Sequence, residues 1–235
     1  MEPPADAAPE RPRIATHQLN LNPSRWNTGR WRPLTEGYGF LAPLAAATLV
    51  AARTMPLLAP VPAILGGLIA LAFRDPERDI QQRASAVLSP ADGRVLRVSV
   101  EFDEHWQIEM TEVAIFLALQ DVHVQRIPLT GKVVAQVRKA GGYKPAMTEA
   151  ATHGNNQLAT YIQTDLGPCT VTQISGLVAR RSGTGSQVGD HVEQGDRMGM
   201  IKFGSQVTLR LPTSMRVLVA AGDRVTGGLT VIAEV

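Results

Sequence analysis

Two uncharged, apolar runs occupy residues 37–52 and 55–73, and a burst of charge at residues 74–78 ends them. A single helix needs about 20 apolar residues to cross the hydrocarbon of a bilayer. The two runs hold 16 and 19 residues, and three prolines interrupt the second near its start. We therefore expect an apolar helical hairpin that lies in one leaflet or enters the bilayer as a hairpin. The alternative is a hairpin packed on the protein's own core.

The segment before this hairpin starts as a charged, proline-rich tail, shows no signal peptide, and ends with indoles among cations. Such a mixture suits the anionic headgroup layer of a membrane. We expect a tail and membrane approach over residues 1–36, a membrane-associated hairpin over 37–73 and a β-rich domain over 74–235. The expected location is the cell membrane, peripheral or monotopic on the cytoplasmic face. The membrane approach contains Arg25, Trp26, Arg30, Trp31 and Arg32.

The composition argues against several classes of protein. A formal net charge of +2, without a long Lys/Arg block, gives no reason to expect nucleic-acid binding. Cys169 is the only cysteine, so the sequence has no internal disulfide framework, offers no cysteine cluster for a metal and suits a reducing compartment. We expect no metal site.

The chain beyond residue 87 consists of short strand patterns separated by Gly and Pro turns. Residues 189–195 and 222–228 resemble each other, each placing Gly-Asp before a Val and a second Gly. Biotinyl and lipoyl carrier domains build hairpins in this way, although neither turn here carries a modifiable lysine. The pattern predicts a mainly β (α+β) fold, a flattened β-barrel or sandwich with biotinyl- and lipoyl-like hairpins, preceded by the N-terminal apolar helical hairpin. The expected strands cover 94–100, 112–119, 122–127, 131–138, 158–164 and 169–179.

Near the C-terminus, residues 200–211 form a strand pattern in which Ser205 shares the register of the apolar positions. Alternation then directs the Ser205 hydroxyl to the covered face, and Gly204 removes a side chain that would shield the peptide bond before it. A Gly-Ser bond presented in this way is a candidate for backbone chemistry. From the dipeptide alone, a bulge with a small residue in the core is the commoner explanation.

Two further side chains have a chemistry that fits such a site. Asp92 lies in a Pro- and Gly-framed turn just before a strand, where the backbone is stiff. His123 alternates with Val122 and Val124, so it lies on the opposite face of its strand and titrates in a range suited to proton transfer. Each of them alone is more often structural than catalytic.

Together these stretches resemble the phosphatidylserine decarboxylase family, most closely its short bacterial and archaeal form. The paired apolar segments match that form as well, and the resemblance runs from about residue 73 to the C-terminus. The matching motifs are FRDPER at 73–78, SPADGRV at 89–95, DVHVQRIPLTGKV at 121–133, QISGLVARR at 173–181 and GMIKFGS at 199–205.

The resemblance implies a proenzyme that cuts itself at the Gly204–Ser205 bond. Residues 1–204 would become a large chain and residues 205–235 a small chain, and the two would stay together as a heterodimer. Ser205 would be converted into a pyruvic acid residue, the covalent pyruvoyl cofactor. The family pattern makes His123, oriented by Asp92, the base that activates Ser205.

The resemblance also implies the reaction: decarboxylation of phosphatidylserine to phosphatidylethanolamine and carbon dioxide. The pyruvoyl ketone would accept the electrons released as carbon dioxide leaves, the role that pyridoxal phosphate has in other enzymes. The phospholipid substrate lies in a membrane, so the apolar hairpin would place the site at the headgroup layer. A homo-oligomer is left open.

The sequence departs from longer family members at two positions that bear on mechanism. They carry a second histidine three residues after the first, where this chain has Arg126. Asn156 stands where the family usually has a glutamate. With Arg126 in place, either His123 serves both self-cleavage and decarboxylation or another group replaces the second histidine.

Two alternatives to this function remain at the level of sequence. One is a decarboxylase of a related serine lipid such as archaetidylserine. The other is a membrane-tethered barrel that binds a lipid or a partner without catalysis. The intact Gly204–Ser205 bond, with His123 and Asp92 elsewhere in the chain, favours an enzyme over such a binding barrel.

Overall fold

The structure is a computed structural model, and it describes residues 33–176, 182–201 and 204–235. Two long helices come first in the described part of the chain and strands make up most of the rest, which confirms the mainly β fold. The helices are α1 (Pro33–Thr54), α2 (Pro60–Ala72) and α3 (Glu149–Gly154). The strands are β1 (Ala86–Leu88), β2 (Gly93–Asp103), β3 (Ile108–Leu117), β4 (Val124–Arg126), β5 (Gly131–Lys139), β6 (Gln157–Thr164), β7 (Gly167–Ile174), β8 (Ser182–Thr184), β9 (His191–Val192), β10 (Arg197–Ile201), β11 (Ser205–Pro212), β12 (Arg216–Val217), β13 (Arg224–Val225) and β14 (Val231–Glu234).

The helices α1 and α2 form the expected hairpin, joined by a 3-10 turn at Pro56–Leu58. Proline opens both the turn and α2, where its missing N–H costs no helical hydrogen bond. Apolar side chains away from the hairpin's base are exposed, with Leu57 at 93%. At the base, Ile69 and Phe73 are buried against the β-rich domain. None of the helices in the described part of the chain has both the length and the hydropathy needed to cross a membrane.

An antiparallel eight-stranded sheet forms the body of the domain, in the order β13-β2-β3-β11-β7-β6-β5-β9. Two three-stranded sheets, β1-β14-β12 and β4-β10-β8, complete it. Alternating apolar residues of the large sheet build the main core, which includes Val113, Ile115, Val171, Val207 and Leu209. This pattern is typical of a sheet that curls around a core and covers it with one face. The strands expected from alternation correspond to β2–β7, with ends shifted by a few residues.

The single strand predicted over residues 200–211 is instead two strands in different sheets. Its first part belongs to β10, which ends at Ile201 and pairs with β4 and β8. Its second part is β11, which begins at Ser205 and pairs with β3 and β7. The prediction was wrong because hydrophobic alternation continues through the break, while pairing partners are a property of the tertiary structure.

The two Gly-Asp stretches adopt the same structure, so the sequence repeat is a structural repeat. Val133 exchanges backbone hydrogen bonds with Gly189 and Asp190, and Val95 does the same with Gly222 and Asp223. The four distances fall between 2.8 and 2.9 Å. The turns hold β9 against β5 and β13 against β2, at the two outer ends of the eight-stranded sheet. The barrel is therefore built from two related halves.

The link between the hairpin and β1 lies between these halves. A methyl carbon built on Gly195 would lie 2.6 Å from the Ile80 side chain, and one built on Gly228 would lie 2.7 Å from it. Both glycines also have positive φ, +93° and +76°. Glycine is thus needed at the last position of each repeat, both for its backbone conformation and to leave room for Ile80.

Candidate active site

The Gly204–Ser205 bond lies where the chain enters the eight-stranded sheet. Ser205 is the first residue of β11 and pairs with Leu117, the last residue of β3. Its side chain is fully buried, and its Oγ has no hydrogen-bond partner among the described residues. A buried hydroxyl without a partner is costly in a purely structural role. The burial predicted from the register is therefore confirmed, and no described residue satisfies the hydroxyl.

Gly204 has a φ of +54°, in the left-handed region. Apart from its two chain neighbours, no described residue would lie within 4 Å of a methyl carbon built at this position. The glycine is thus needed for its backbone conformation, which other residues adopt at a cost of about 1 kcal/mol or more. The further expectation, that the missing side chain leaves the bond open to the adjoining Ser205, stays a prediction.

His123 is held between the base of the hairpin and the chain that precedes the candidate bond. Its N–H donates to the Ala72 carbonyl at the end of α2, at 3.3 Å. Its own carbonyl accepts from the Ile201 N–H at 3.2 Å and from the Gln125 side chain at 2.8 Å. The imidazole is fully buried, and its Nε2 has no partner in the described part of the chain.

The contact of the other ring nitrogen, Nδ1, determines the tautomer of His123. Nδ1 lies 2.8 Å from the Asp121 carbonyl oxygen, which can only accept, so Nδ1 carries the proton and donates it. Burial lowers the pKa of His123 below its usual value of 6.5, more than the Asp121 carbonyl and nearby carboxylates raise it. The ring is therefore neutral near pH 7, and Nε2 presents a free lone pair. This is the state that a general base needs.

Asp121 is a residue that the sequence reasoning missed. Its carboxylate accepts the Ala118 N–H at 2.9 Å and pairs with Arg224 at 3.1 Å. These contacts hold the turn after β3 and so hold the carbonyl that orients His123. The available signal was the Asp-Val-His spacing itself, although a carbonyl contact cannot be read from residue types.

Asp92 makes a different set of contacts from the one expected. Its carboxylate forms a bidentate ion pair with Arg78, both distances being 2.8 Å, and accepts the Gly227 N–H at 2.7 Å. Arg78 also donates to the Gly227 carbonyl. In the described part of the structure, Asp92 and His123 are not joined by a hydrogen bond. Asp92 reaches His123 through its charge, as the weakest of the influences that raise the pKa of His123.

The second half of the barrel contains a structural counterpart of Asp92. Thr130 stands at the matching position of the repeat, and its hydroxyl accepts the Gln194 N–H at 3.0 Å. Gln194 in turn matches Gly227. An oxygen acceptor at this place is thus part of the barrel's construction in both halves, while the charge and the Arg78 partner occur with Asp92 alone.

Arg126, at the position of the second histidine in longer family members, belongs to an ion-pair cluster. It pairs with Asp75 at 3.0 Å and donates to the Gly195 carbonyl at 3.2 Å. Arg197 binds the other oxygen of Asp75 at 2.5 Å. A buried guanidinium bound in this way stays charged and does not transfer protons. Of the two histidine positions, only that of His123 can serve as a base.

The remaining candidates lie at or beyond the edge of this site. Asn156 has a buried Oδ1 without a partner in the described residues, and its backbone bonds to Gly142 and Ser175. The QISGLVARR arginines at 180 and 181 lie outside the described residues. Cys169 is fully buried, which raises the pKa of its thiol to about 12, so it is no nucleophile at neutral pH.

Comparison with known proteins identifies a family whose model spans nearly all of these residues. The model described as phosphatidylserine decarboxylase matches residues 65–233, from within α2 into β14. Asp92, His123, Gly204 and Ser205 all lie in that range. The family resemblance that the motifs predicted is confirmed.

Curated relatives carry the same description or a closely related one. A putative archaetidylserine decarboxylase proenzyme of Methanosarcina mazei is 40% identical over 163 residues, 69% of this chain and 73% of the relative. A phosphatidylserine decarboxylase proenzyme of Geobacter metallireducens is 36% identical over 207 residues, 84% of this chain and 94% of the relative. Another, of Streptomyces avermitilis, is 38% identical over 190 residues, 79% of this chain and 84% of the relative.

Substitution can measure how much Asp92 contributes to the stability of the fold. Asp92→Ala leaves the buried Arg78 unpaired and the Gly227 N–H without its acceptor, so we expect unfolding to become easier by about 3–5 kcal/mol. Asp92→Thr introduces the residue type found at Thr130 in the other half of the barrel. It keeps a hydroxyl acceptor for the Gly227 N–H, so its loss in free energy of unfolding should be smaller. Chemical denaturation of both variants in a Ser205→Ala background, which excludes effects of cleavage, provides the measurement. Equal stability of Asp92→Ala and the parent would contradict the assignment.

Proposed function

The chain belongs to the phosphatidylserine decarboxylase family, and on that premise we propose that it is a proenzyme that cuts itself between Gly204 and Ser205 and then decarboxylates phosphatidylserine. The family is one of carboxy-lyases. The observation that carries the proposal is Ser205 itself: a buried serine with an unpartnered hydroxyl, directly after a glycine held at φ +54°. Such a hydroxyl is available to its own peptide bond.

The lipid is proposed from the relatives and from chemistry. The Geobacter and Streptomyces relatives are described as phosphatidylserine decarboxylase proenzymes, and the Methanosarcina relative as a putative archaetidylserine decarboxylase proenzyme. Phosphatidylserine and archaetidylserine share the serine headgroup and differ in their hydrocarbon part. The same site chemistry would act on either headgroup, and phosphatidylserine is our first choice because longer parts of the chain match those relatives.

Self-cleavage can be written so that all atoms balance. The Ser205 Oγ attacks the Gly204 carbonyl carbon, and the C–N bond breaks to leave an ester and a free amine. Loss of the Ser205 α-proton then expels the Gly204 carboxylate and leaves a dehydroalanine. After tautomerisation one water molecule releases ammonia, and residue 205 becomes a pyruvoyl group. The sum is one water consumed and one ammonia formed.

His123 is the residue to which we assign the proton transfers. Its Nε2 lone pair would take the proton from the Ser205 hydroxyl, while the Asp121 carbonyl keeps the proton on Nδ1. We propose that Asp92 contributes through its negative charge, which favours the imidazolium that forms. With Arg126 bound to Asp75, His123 would serve both cleavage and turnover.

The residues present fit a pyruvoyl group at position 205. The position is buried, its Oγ is unpartnered, and the unpartnered His123 Nε2 belongs to the segment that is bonded to Ile201, four residues earlier. When formed, the pyruvoyl ketone supplies an electron sink for loss of carbon dioxide from the serine headgroup. His123 would then hold at Nε2 the proton that replaces the carboxyl group.

We propose further that the helical hairpin attaches the protein to the cytoplasmic face of the cell membrane as a peripheral or monotopic protein. Its exposed side chains include Leu49, Leu57, Val61 and Ile64, each more than 60% exposed. An apolar surface of this kind is typical of a membrane contact. The base of the hairpin does pack on the domain: Ile69 and Phe73 are buried there, and Leu41 and Leu44 of α1 pack against the same cluster. The alternative of a hairpin on the protein's own core thus describes the base of the hairpin.

A denaturing gel tests the self-cleavage. We expect the purified wild-type protein to run as a large chain and a 31-residue peptide of roughly three kilodaltons. Ser205→Ala should stay as one band, because no hydroxyl remains to attack, and should release no carbon dioxide from phosphatidylserine vesicles. A single intact wild-type band would favour the membrane-tethered binding barrel over the enzyme.

The dependence of cleavage on pH tests the role of His123. Because burial lowers its pKa below 6.5, the neutral base persists below that pH. The first-order rate of cleavage in freshly refolded proenzyme should still exceed half of its maximum at pH 6.5 and should fall to half only at a lower pH, because the pKa is lowered. His123→Ala should remain uncut at every pH. A wild-type rate already halved above pH 6.5, or cleavage of His123→Ala, would remove His123 from the mechanism.

Charge substitutions test the membrane contact. Each apolar side chain that enters the bilayer contributes about 1.5–3 kcal/mol, so Leu57→Asp with Val61→Asp should abolish sedimentation with phosphatidylserine-containing vesicles. Val100→Asp is the matched control, because Val100 is a 58% exposed apolar residue on β2 of the barrel. Unchanged sedimentation of the hairpin variant, or equal loss in the control, would contradict the proposed attachment.

A further inference from the structure

Gly176 lies against the carbonyl group of the candidate cleavage bond. A methyl carbon built on Gly176 would lie 1.7 Å from the Gly204 carbonyl oxygen and 2.9 Å from the Gly204 carbonyl carbon. Real side-chain carbons do not approach an oxygen so closely. The oxygen of the bond to be cut therefore occupies the place that any side chain at position 176 would take.

The requirement for glycine at this position is one of space. Gly176 lies outside the left-handed region, unlike Gly204, so another residue could adopt its backbone conformation. What no other residue can do is leave room for the carbonyl oxygen. The two glycines thus differ in what requires them: Gly204 is needed for its backbone conformation, and Gly176 is needed to leave room for the Gly204 carbonyl oxygen.

Backbone and side-chain hydrogen bonds hold the residue directly before Gly176 in place. The preceding residue, Ser175, donates its N–H to the Asn156 carbonyl at 2.9 Å. The Ser175 carbonyl accepts from the Asn155 side-chain amide at 2.8 Å. Asn155 is fully buried and also binds the backbone N–H and carbonyl of Lys144, at 2.7 and 2.8 Å.

The same loop supplies a second wall. The Ala146 side-chain carbon would lie 3.2 Å from a methyl on Gly176, so it borders the same small space. Ala146 is itself buried. Gly176 and Ala146 therefore form a slot for the carbonyl oxygen, and Asn155 ties together the two chain segments that carry them.

We propose that Gly176, with Asn155 behind it, is a positioning residue for self-cleavage: its open side seats the Gly204 carbonyl oxygen and so sets the face of the carbonyl carbon that Ser205 attacks. The inference rests on the proposed self-cleavage and adds a residue to it. A shift of the reacting carbonyl by about 1 Å can slow such a step by about 100-fold. A methyl group at position 176 would force a shift of that size.

The test compares two glycine-to-alanine variants that make the same kind of clash. Gly176→Ala pushes on the Gly204 carbonyl, whereas Gly131→Ala would meet the Gln163 carbonyl at 2.4 Å, between β5 and β6. Cleavage is followed over time on gels after refolding, and thermal unfolding is measured in parallel. We expect Gly176→Ala to cut at least about 100-fold more slowly, and Gly131→Ala to cut at the wild-type rate although it is less stable.

Hydroxylamine identifies the step that fails. It cleaves esters, so in a proenzyme that has made the ester it releases the small chain without the later elimination. If Gly176 positions the attack, Gly176→Ala should give no hydroxylamine-dependent release. Cleavage of Gly176→Ala within threefold of wild type, or release by hydroxylamine at the wild-type rate, would overturn the inference.

A second variant keeps the inference testable if Gly176→Ala does not fold. Ala146→Val narrows the slot from its other wall, and it should slow cleavage about tenfold or more. A wild-type rate in Ala146→Val would then overturn the inference. Failure of the wild-type protein to cut would refute self-cleavage itself, whereas cutting by wild type and variants alike would refute only the role of Gly176.

Discussion

The pairing of β11 between β3 and β7 is the constraint on which the rest of the site depends. Ser205 begins this strand, so the bond to be cut stands at the border between a fully paired strand and the turn that leads into it. After cleavage the small chain would remain held by its ladders, since β13 pairs with β2 and β14 with β1. Arg224 and Gly227 add contacts to Asp121 and Asp92. The proposed cleavage would therefore leave the small chain held in the fold.

The internal repeat separates what is structural in the site from what is chemical. Both halves place an oxygen acceptor before a strand, Asp92 in one and Thr130 in the other, and each accepts a backbone N–H. The internal repeat therefore explains why Asp92 accepts the Gly227 N–H. The carboxylate charge and its pairing with Arg78 have no counterpart at Thr130, and they are what remains for a role at His123. The FRDPER motif supplies Arg78 and Asp75, so it belongs to the support of the site as well as to the boundary of the hairpin.

Alternation and turn residues predicted most of the barrel, because strands with one covered face repeat every two residues. The break before Ser205 could not be predicted in this way, since the alternation runs through it. The family motifs identified Ser205, His123 and Asp92, and the structure buries the first two with unpartnered atoms. It orients His123 by the Asp121 carbonyl, which no pattern of side chains records. Gly176 was visible as a motif glycine, but its purpose depends on contact with Gly204, 28 residues away in the chain.

The central claim is that Ser205 is consumed when its own peptide bond breaks. Mass spectrometry of the small chain, taken from freshly purified protein, tests it most directly. The account predicts a peptide that ends in Val235 and starts with a pyruvoyl group, lighter than the unmodified 205–235 peptide by one ammonia molecule and resistant to Edman degradation. A small chain that starts with an intact serine amine would contradict the account, because the bond would then have been hydrolysed by another route.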